Sequence, residues 1–249
     1  MTTTPEPPPE SPVLRGRDLL LILIIVLAAI SVIALLAVPL VGALAPSEGR
    51  DTNLVVGIQL LLLAAQTAVL IGAVYLVAVR WRGLGWAELG LRPAPRRWYR
   101  RAIWITLLTL LLAGGLNVLT QLFLDEAPVN PQFSLVAPAG FSWFALLGML
   151  FVVGLCIPFA EELLFRGVLY GWLRQRLGVP AAALLSAVLF SGVHRIVWLI
   201  PALAVIGVIL ALVYEKSGSL WPAIVVHALF NSVGVVLVYL ALAQGVPLG

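Results

Sequence analysis

Phe159-Ala-Glu-Glu-Leu-Leu-Phe-Arg-Gly167 sets two adjacent carboxylates and an arginine at the end of a long apolar run. Charges in or beside hydrocarbon are costly, so they are rare there and are either paired or functional. The surroundings are apolar throughout. Of 249 residues, 62% are hydrophobic and 10% charged, against about a quarter charged in an ordinary soluble domain. The apolar runs are continuous rather than alternating, which argues against a transmembrane barrel and leaves helices. The fold class is an all-α polytopic membrane protein, with about seven transmembrane helices enclosing a polar intramembrane site.

Working outward, the span that delivers the two glutamates begins near Trp143 and passes through Pro158. About 20 apolar residues suffice to cross a bilayer. Earlier runs of that length are Leu19–Ala45, Leu54–Val79 and Ala102–Leu124; later ones cover Pro180–His194, Leu199–Tyr214 and the stretch from Trp221-Pro222 to Ala243. Residues 1–13 hold five prolines, three threonines and two glutamates, the composition of a disordered tail. The expected division is a cytoplasmic tail over 1–18, two accessory helices over 19–79, a basic loop over 80–101, a core over 102–243 and a short tail over 244–249.

Loop charge sets the expected topology. The 80–101 stretch carries Arg80, Arg82, Arg92, Arg96, Arg97, Arg100 and Arg101 against Glu88 alone. The positive-inside rule puts it in the cytoplasm, with Trp81, Trp86, Trp98 and Tyr99 as its interfacial belt. Glu48, Arg50 and Asp51 fall in a short loop after the first span, and Asp125–Ser142, with two acids and no base, reads as external. An odd number of spans then puts the amino terminus inside and the carboxy terminus outside a cell membrane. Because topology accounts for the arginines, the formal charge of +4 does not indicate a nucleic-acid partner. The bilayer is the implied surrounding, and the oligomeric state is not legible. The single cysteine, Cys156, excludes an internal disulfide and any cysteine metal cluster.

Spacing then organises the polar residues. Glu162 and Arg166 are four apart, so on a helix they share a face and can pair. Glu161 is rotated about 100° from Glu162 and points at a different target. The chain's two histidines fall in two further i, i+4 pairs, Phe190 with His194 and His227 with Asn231. Each lies in an apolar helix, where polar side chains need partners. Glu161, His194, His227 and Asn231 together supply a hydrolytic set, with Glu162, Arg166 and Phe190 in support. A carboxylate and a neutral imidazole can take a proton from water. A second histidine and an amide can donate to an oxyanion. The plainer alternative is structural glue between helices. A divalent metal such as zinc on Glu161, His194 and His227 is an open option, and metal-free water activation fits the same residues. No His-Glu-x-x-His is present.

The three motifs Glu161-Glu162-Leu-Leu-Phe-Arg166, Phe190-Ser-Gly-Val-His194 and His227-Ala-Leu-Phe-Asn231 resemble those of the type II CAAX prenyl endopeptidases. That membrane family also covers bacteriocin-processing and Abi-type proteins. Gly218-Ser-Leu-Trp-Pro222 and Glu88-Leu-Gly-Leu-Arg92 are similar to segments of the same proteins. The resemblance spans roughly residues 80–243. It implies an endopeptidase acting on a peptide or membrane-associated protein, lipidated or not. By that resemblance Glu161 activates water with His194, His227 and Asn231 stabilise the oxyanion, and Glu162 and Arg166 hold the geometry. Two competing classes are a non-catalytic immunity or scaffold relative and a proton- or cation-coupled transporter. One tension is geometric. At 1.5 Å per residue His194 lies about 20 Å past Pro180, whereas His227 lies about 8 Å past Pro222. A tilted fifth helix, or a water-filled cavity opening to the cytoplasm, is expected to reconcile them.

Overall fold

The structure, a computed structural model, describes residues 14–44, 52–124, 136 and 141–245. The expected tail over 1–13, the loop charges Glu48, Arg50 and Asp51, and most of the Asp125–Ser142 loop lie outside the described residues. The described elements are helical. They are α1 (Gly16–Leu44), α2 (Thr52–Val74), α3 (Arg96–Gln121), α4 (Trp143–Phe151), α5 (Ile157–Glu162), α6 (Gly171–Val193), α7 (Ile200–Ser217) and α8 (Leu220–Ala243). Three π-helical segments, Tyr75–Trp81, Val152–Cys156 and Leu163–Tyr170, continue or join these helices.

Six of the resulting helical stretches are long and apolar enough to cross a membrane. The fourth extends from Trp143 to Val193, which is 51 residues. At 1.5 Å per residue that is about 75 Å, more than twice the hydrocarbon thickness of about 30 Å. It is therefore two limbs, and Gly178 is where they part. Its φ of 74° and ψ of 176° lie outside the helix region. Only glycine adopts that conformation without strain. Pro180, two residues on, starts the second limb. Six membrane-length stretches among the described residues come close to the seven spans expected.

Boundaries differ from the sequence reading where charge and helix disagree. Helix α3 starts at Arg96, so the last six residues of the basic stretch are helical rather than loop. Positive charge marks the membrane edge; the helix itself runs on beyond it to Pro95, which forms the cap. Likewise α1 starts at Gly16, and Asp18 in its first turn is buried and bridged to Arg82. The stretch Glu215–Ser217 continues α7 rather than turning. The chain leaves that helix at Gly218, whose φ of 68° gives the left-handed helix stop.

Packing positions the site. Helix α3 meets α7 and α8 through Ala102, Ala113, Ile206, Leu210, Ala223 and Val226. Helices α6 and α7 cross closely because Gly207 lies against Ala187; a Cβ at Gly207 would come within 2.7 Å of the Ala187 Cβ. Small residues permit such approaches in membrane bundles. Helices α1 and α2 join the core through Ile22, Val26, Ala73, Val74 and Val77, in one cluster with Leu89, Leu163 and Leu220. The accessory helices therefore buttress the segment that carries the glutamates.

Candidate active site

Glu161 and Glu162 end α5, and the chain then widens into the π-helical segment Leu163–Tyr170 that carries Arg166. Such widened turns often occur at functional sites, because they re-aim side chains. Here the i, i+4 pairing survives. Arg166 Nη1 donates to Glu162 Oε1 at 2.7 Å, with both side chains at 0% exposure. Arg166 Nη2 donates to the Gly207 carbonyl at 3.0 Å, and the guanidinium lies 4.7 Å over the Phe190 ring. The charge is thus held by one carboxylate, one backbone dipole and one aromatic face.

Helix α8 brings His227 to the same carboxylate. Its Nδ1 lies 2.8 Å from Glu162 Oε1, and its Nε2 lies 3.6 Å from Glu161 Oε2. The two glutamates therefore contact opposite nitrogens of one buried imidazole. Glu162 Oε1, which also accepts from Arg166, is the acceptor, so Nδ1 is the donor. Nε2 is left facing Glu161 across a gap too long for a direct hydrogen bond. Glu161 retains 19% side-chain exposure, unlike Glu162.

Phe190 ties the motifs together. Its ring makes edge contacts with His194 at 5.0 Å, His227 at 5.7 Å and Phe165 at 5.2 Å between centroids. His194 caps the second limb of α6, half-buried, with Nδ1 2.8 Å from the Phe190 carbonyl. A carbonyl only accepts, so Nδ1 is the donor. Asn231 donates from Nδ2 to the Val153 carbonyl at 3.2 Å. The structure thus gathers Glu161, Glu162, Arg166, Phe190 and His227 in direct contact. It sets His194 one ring away, and turns the Asn231 amide toward the π-helical segment before α5.

The depth tension resolves through Phe190. One turn before His194, it bridges the two imidazoles, so His194 need not sit level with His227. A cavity of about 460 Å³ lies beyond Arg166 on the side of the 80–95 segment, lined in part by Leu89, Arg92, Gly167, Arg174, Tyr214 and Gly218. None of Glu161, His194, His227 or Asn231 lines it.

Among the described residues, no three His, Cys, Asp or Glu side chains are grouped to hold a metal. His227 Nδ1 is committed to a carboxylate already held by arginine, and His194 stands across a phenyl ring. Glu161 and His227 face each other through Oε2 and Nε2 at 3.6 Å, and His194 does not join them in such a group.

Sequence reasoning missed the partners that are backbone atoms. The Gly207, Val153 and Phe190 carbonyls have no side-chain signature. It also missed the Tyr170–Glu215–Arg174 cluster, in which Glu215 accepts from the Tyr170 hydroxyl at 2.8 Å and from Arg174 through two bonds of 2.7 Å. The i, i+4 pair Tyr170 and Arg174 was the available signal.

The polar contacts that converge here come from the three motifs, and all of those lie in one matched segment. Residues 141–233 match the family described as type II CAAX prenyl endopeptidase Rce1-like. Over that segment the chain is similar to the CAAX-protease-like family. It is a multi-pass membrane protein. It is 31% identical over 85 residues to the UPF0177 protein YxdF of Lactococcus lactis, covering 34% of this chain and 46% of that protein. It is 27% identical over 89 residues to the "Putative membrane peptidase YdiL" of Bacillus subtilis, covering 36% of each. The chain thus spans less than half the length of either curated relative. No solved structure matches it significantly.

Proposed function

We propose that this CAAX-protease-like protein is an intramembrane endopeptidase that hydrolyses a peptide bond with water activated by Glu161. The single observation that carries the reading is the doubly held imidazole. Glu162, neutralised by Arg166, fixes His227 through Nδ1 and leaves Nε2 beside Glu161. This is the base–orienter arrangement that hydrolytic sites need.

Roles follow from the hydrogen-bond partners. Glu161, the less buried carboxylate, takes the proton from water. His194, oriented by its Nδ1–H on the Phe190 carbonyl, turns Nε2 toward that water. His227, oriented through Nδ1 by the Glu162 carboxylate, turns Nε2 toward the reacting carbonyl and stabilises the oxyanion with help from Asn231. The proton gained by Glu161 then passes to the leaving amine as the tetrahedral intermediate collapses. Arg166 and Phe190 keep the two imidazoles in place without touching substrate. The substrate is a peptide or membrane-associated protein, and the basic end of the bundle faces the cytoplasm.

The test compares all protein termini in membranes carrying wild-type protein with those carrying Glu161→Gln at equal abundance. Termini that disappear in the variant support the reading and name the substrate. Identical termini in the two membranes count against it.

A further inference from the structure

The stretch Gly83–Pro95 precedes the family-matched segment, yet it is fastened to both halves of the site. Glu88 Oε2 accepts from the Gly85 N–H at 2.6 Å, which folds the loop on itself. Leu89 is 1% exposed and packs with Leu163 and Leu220. Its carbonyl lies so close to Gly167 that a Cβ there would approach it to 2.8 Å. Gly167 directly follows Arg166, so this contact seats the loop on the glutamate-bearing segment.

The other side of the loop holds the start of α8. The Gly90 carbonyl accepts from the Leu220 N–H at 2.8 Å. Leu220 is the first residue of α8, and its N–H has no acceptor within its own helix. Arg92 Nε donates to the Gly218 carbonyl, and Ser219 Oγ donates to the Arg92 carbonyl at 2.5 Å. Three hydrogen bonds thus lock 218–220, about 10 Å of helix ahead of His227. Gly90 reaches its position with a φ of 94°, against Tyr214 and Leu220.

His227 must meet one glutamate at 2.8 Å and the other at 3.6 Å. A sub-ångström slide of α8 would break the first contact. We infer that Gly90 and Arg92 are positioning residues that set the axial register of α8 and so hold His227 between Glu161 and Glu162. The inference rests on His227 belonging to the functional site, but not on proteolysis occurring.

The chain's two histidines make the test direct. Full-length protein in detergent is treated with diethylpyrocarbonate, and modification at each histidine is followed by mass spectrometry, alongside amide hydrogen exchange over 220–227. Arg92→Ala is expected to raise the His227 rate several-fold and to speed that exchange, with the His194 rate unchanged. Arg92→Lys, which keeps a cationic donor on a similar stem, is expected to restore most of the protection. Equal acceleration at both histidines would signal general loosening and overturn the inference, as would wild-type rates at His227. Should Arg92→Ala not fold, Ser219→Ala removes one of the three bonds together with the cap on the Trp221 N–H, and is read by the His227 rate against the His194 rate alone.

Discussion

Arg166→Ala is the perturbation whose size the structure constrains best. Glu162 and Arg166 are both at 0% side-chain exposure and 2.7 Å apart. Truncating Arg166 leaves a buried carboxylate without its counter-charge. It also removes the donor to the Gly207 carbonyl and the cation over Phe190. Breaking a buried pair in this way costs about 3–5 kcal/mol, most of it from the stranded charge. That is roughly two to three and a half orders of magnitude in the unfolding equilibrium. The double variant Glu162→Gln with Arg166→Met removes both charges and keeps an amide oxygen for His227. It is therefore expected to cost less than Arg166→Ala alone. The assay is reversible unfolding in mixed micelles by denaturing detergent, read by the fluorescence of the eight tryptophans. A cost below about 1 kcal/mol for Arg166→Ala would place the pair in the weak class typical of solvated salt bridges. Together with a double variant worse than the single one, it would refute the claim that this charge pair is buried and neutralised.

The remaining predictions use the same assay or the substrate once it is known. Arg174→Gln breaks the bridge to Glu215, but Arg174 is 48% exposed, so the cost is expected to stay below about 1 kcal/mol and to shrink further in salt. Gly207→Val places atoms within 2.7–2.8 Å of Ala187, so α6 and α7 must separate. A cost of about 1–3 kcal/mol is expected, with activity falling further because the Arg166 acceptor moves. Gly178→Ala meets no neighbour but forces a side chain to φ 74°, for a cost of about 1–2 kcal/mol at the hinge between the limbs. Cleavage is expected to survive prolonged chelation, measured as an unchanged initial rate after EDTA and gel filtration, because no three His, Cys, Asp or Glu side chains are grouped among the described residues.

The sequence revealed different parts of this account to different degrees, for physical reasons. Apolar run length carries the spans, since a bilayer of fixed thickness imposes it, and the Glu162–Arg166 pair follows from helical periodicity. The meeting of His227 with both glutamates does not follow, because it depends on the register of α8. That register is set by the Gly90 carbonyl and Arg92, which lie more than 120 residues earlier. The π-helical segments on either side of α5 are also invisible, since a one-residue widening leaves hydropathy unchanged. Gly178 was visible as a residue but not as the hinge that splits one 51-residue stretch into two limbs. The histidine depths conflicted on paper because straight helices were assumed; an intervening aromatic ring, Phe190, removes the need for them to be level.

Purified protein reconstituted in liposomes with a synthetic peptide spanning the cut found by terminus mapping tests the central claim most directly. Wild-type protein is expected to cleave it. Glu161→Gln is expected to reduce kcat by at least two orders of magnitude, about the scale of a lost general base. Its unfolding midpoint should stay close to that of wild type, since Glu161 is not the buried member of the pair. A folded Glu161→Gln protein that cleaves at the wild-type rate would contradict the assignment of Glu161 as the base that activates water.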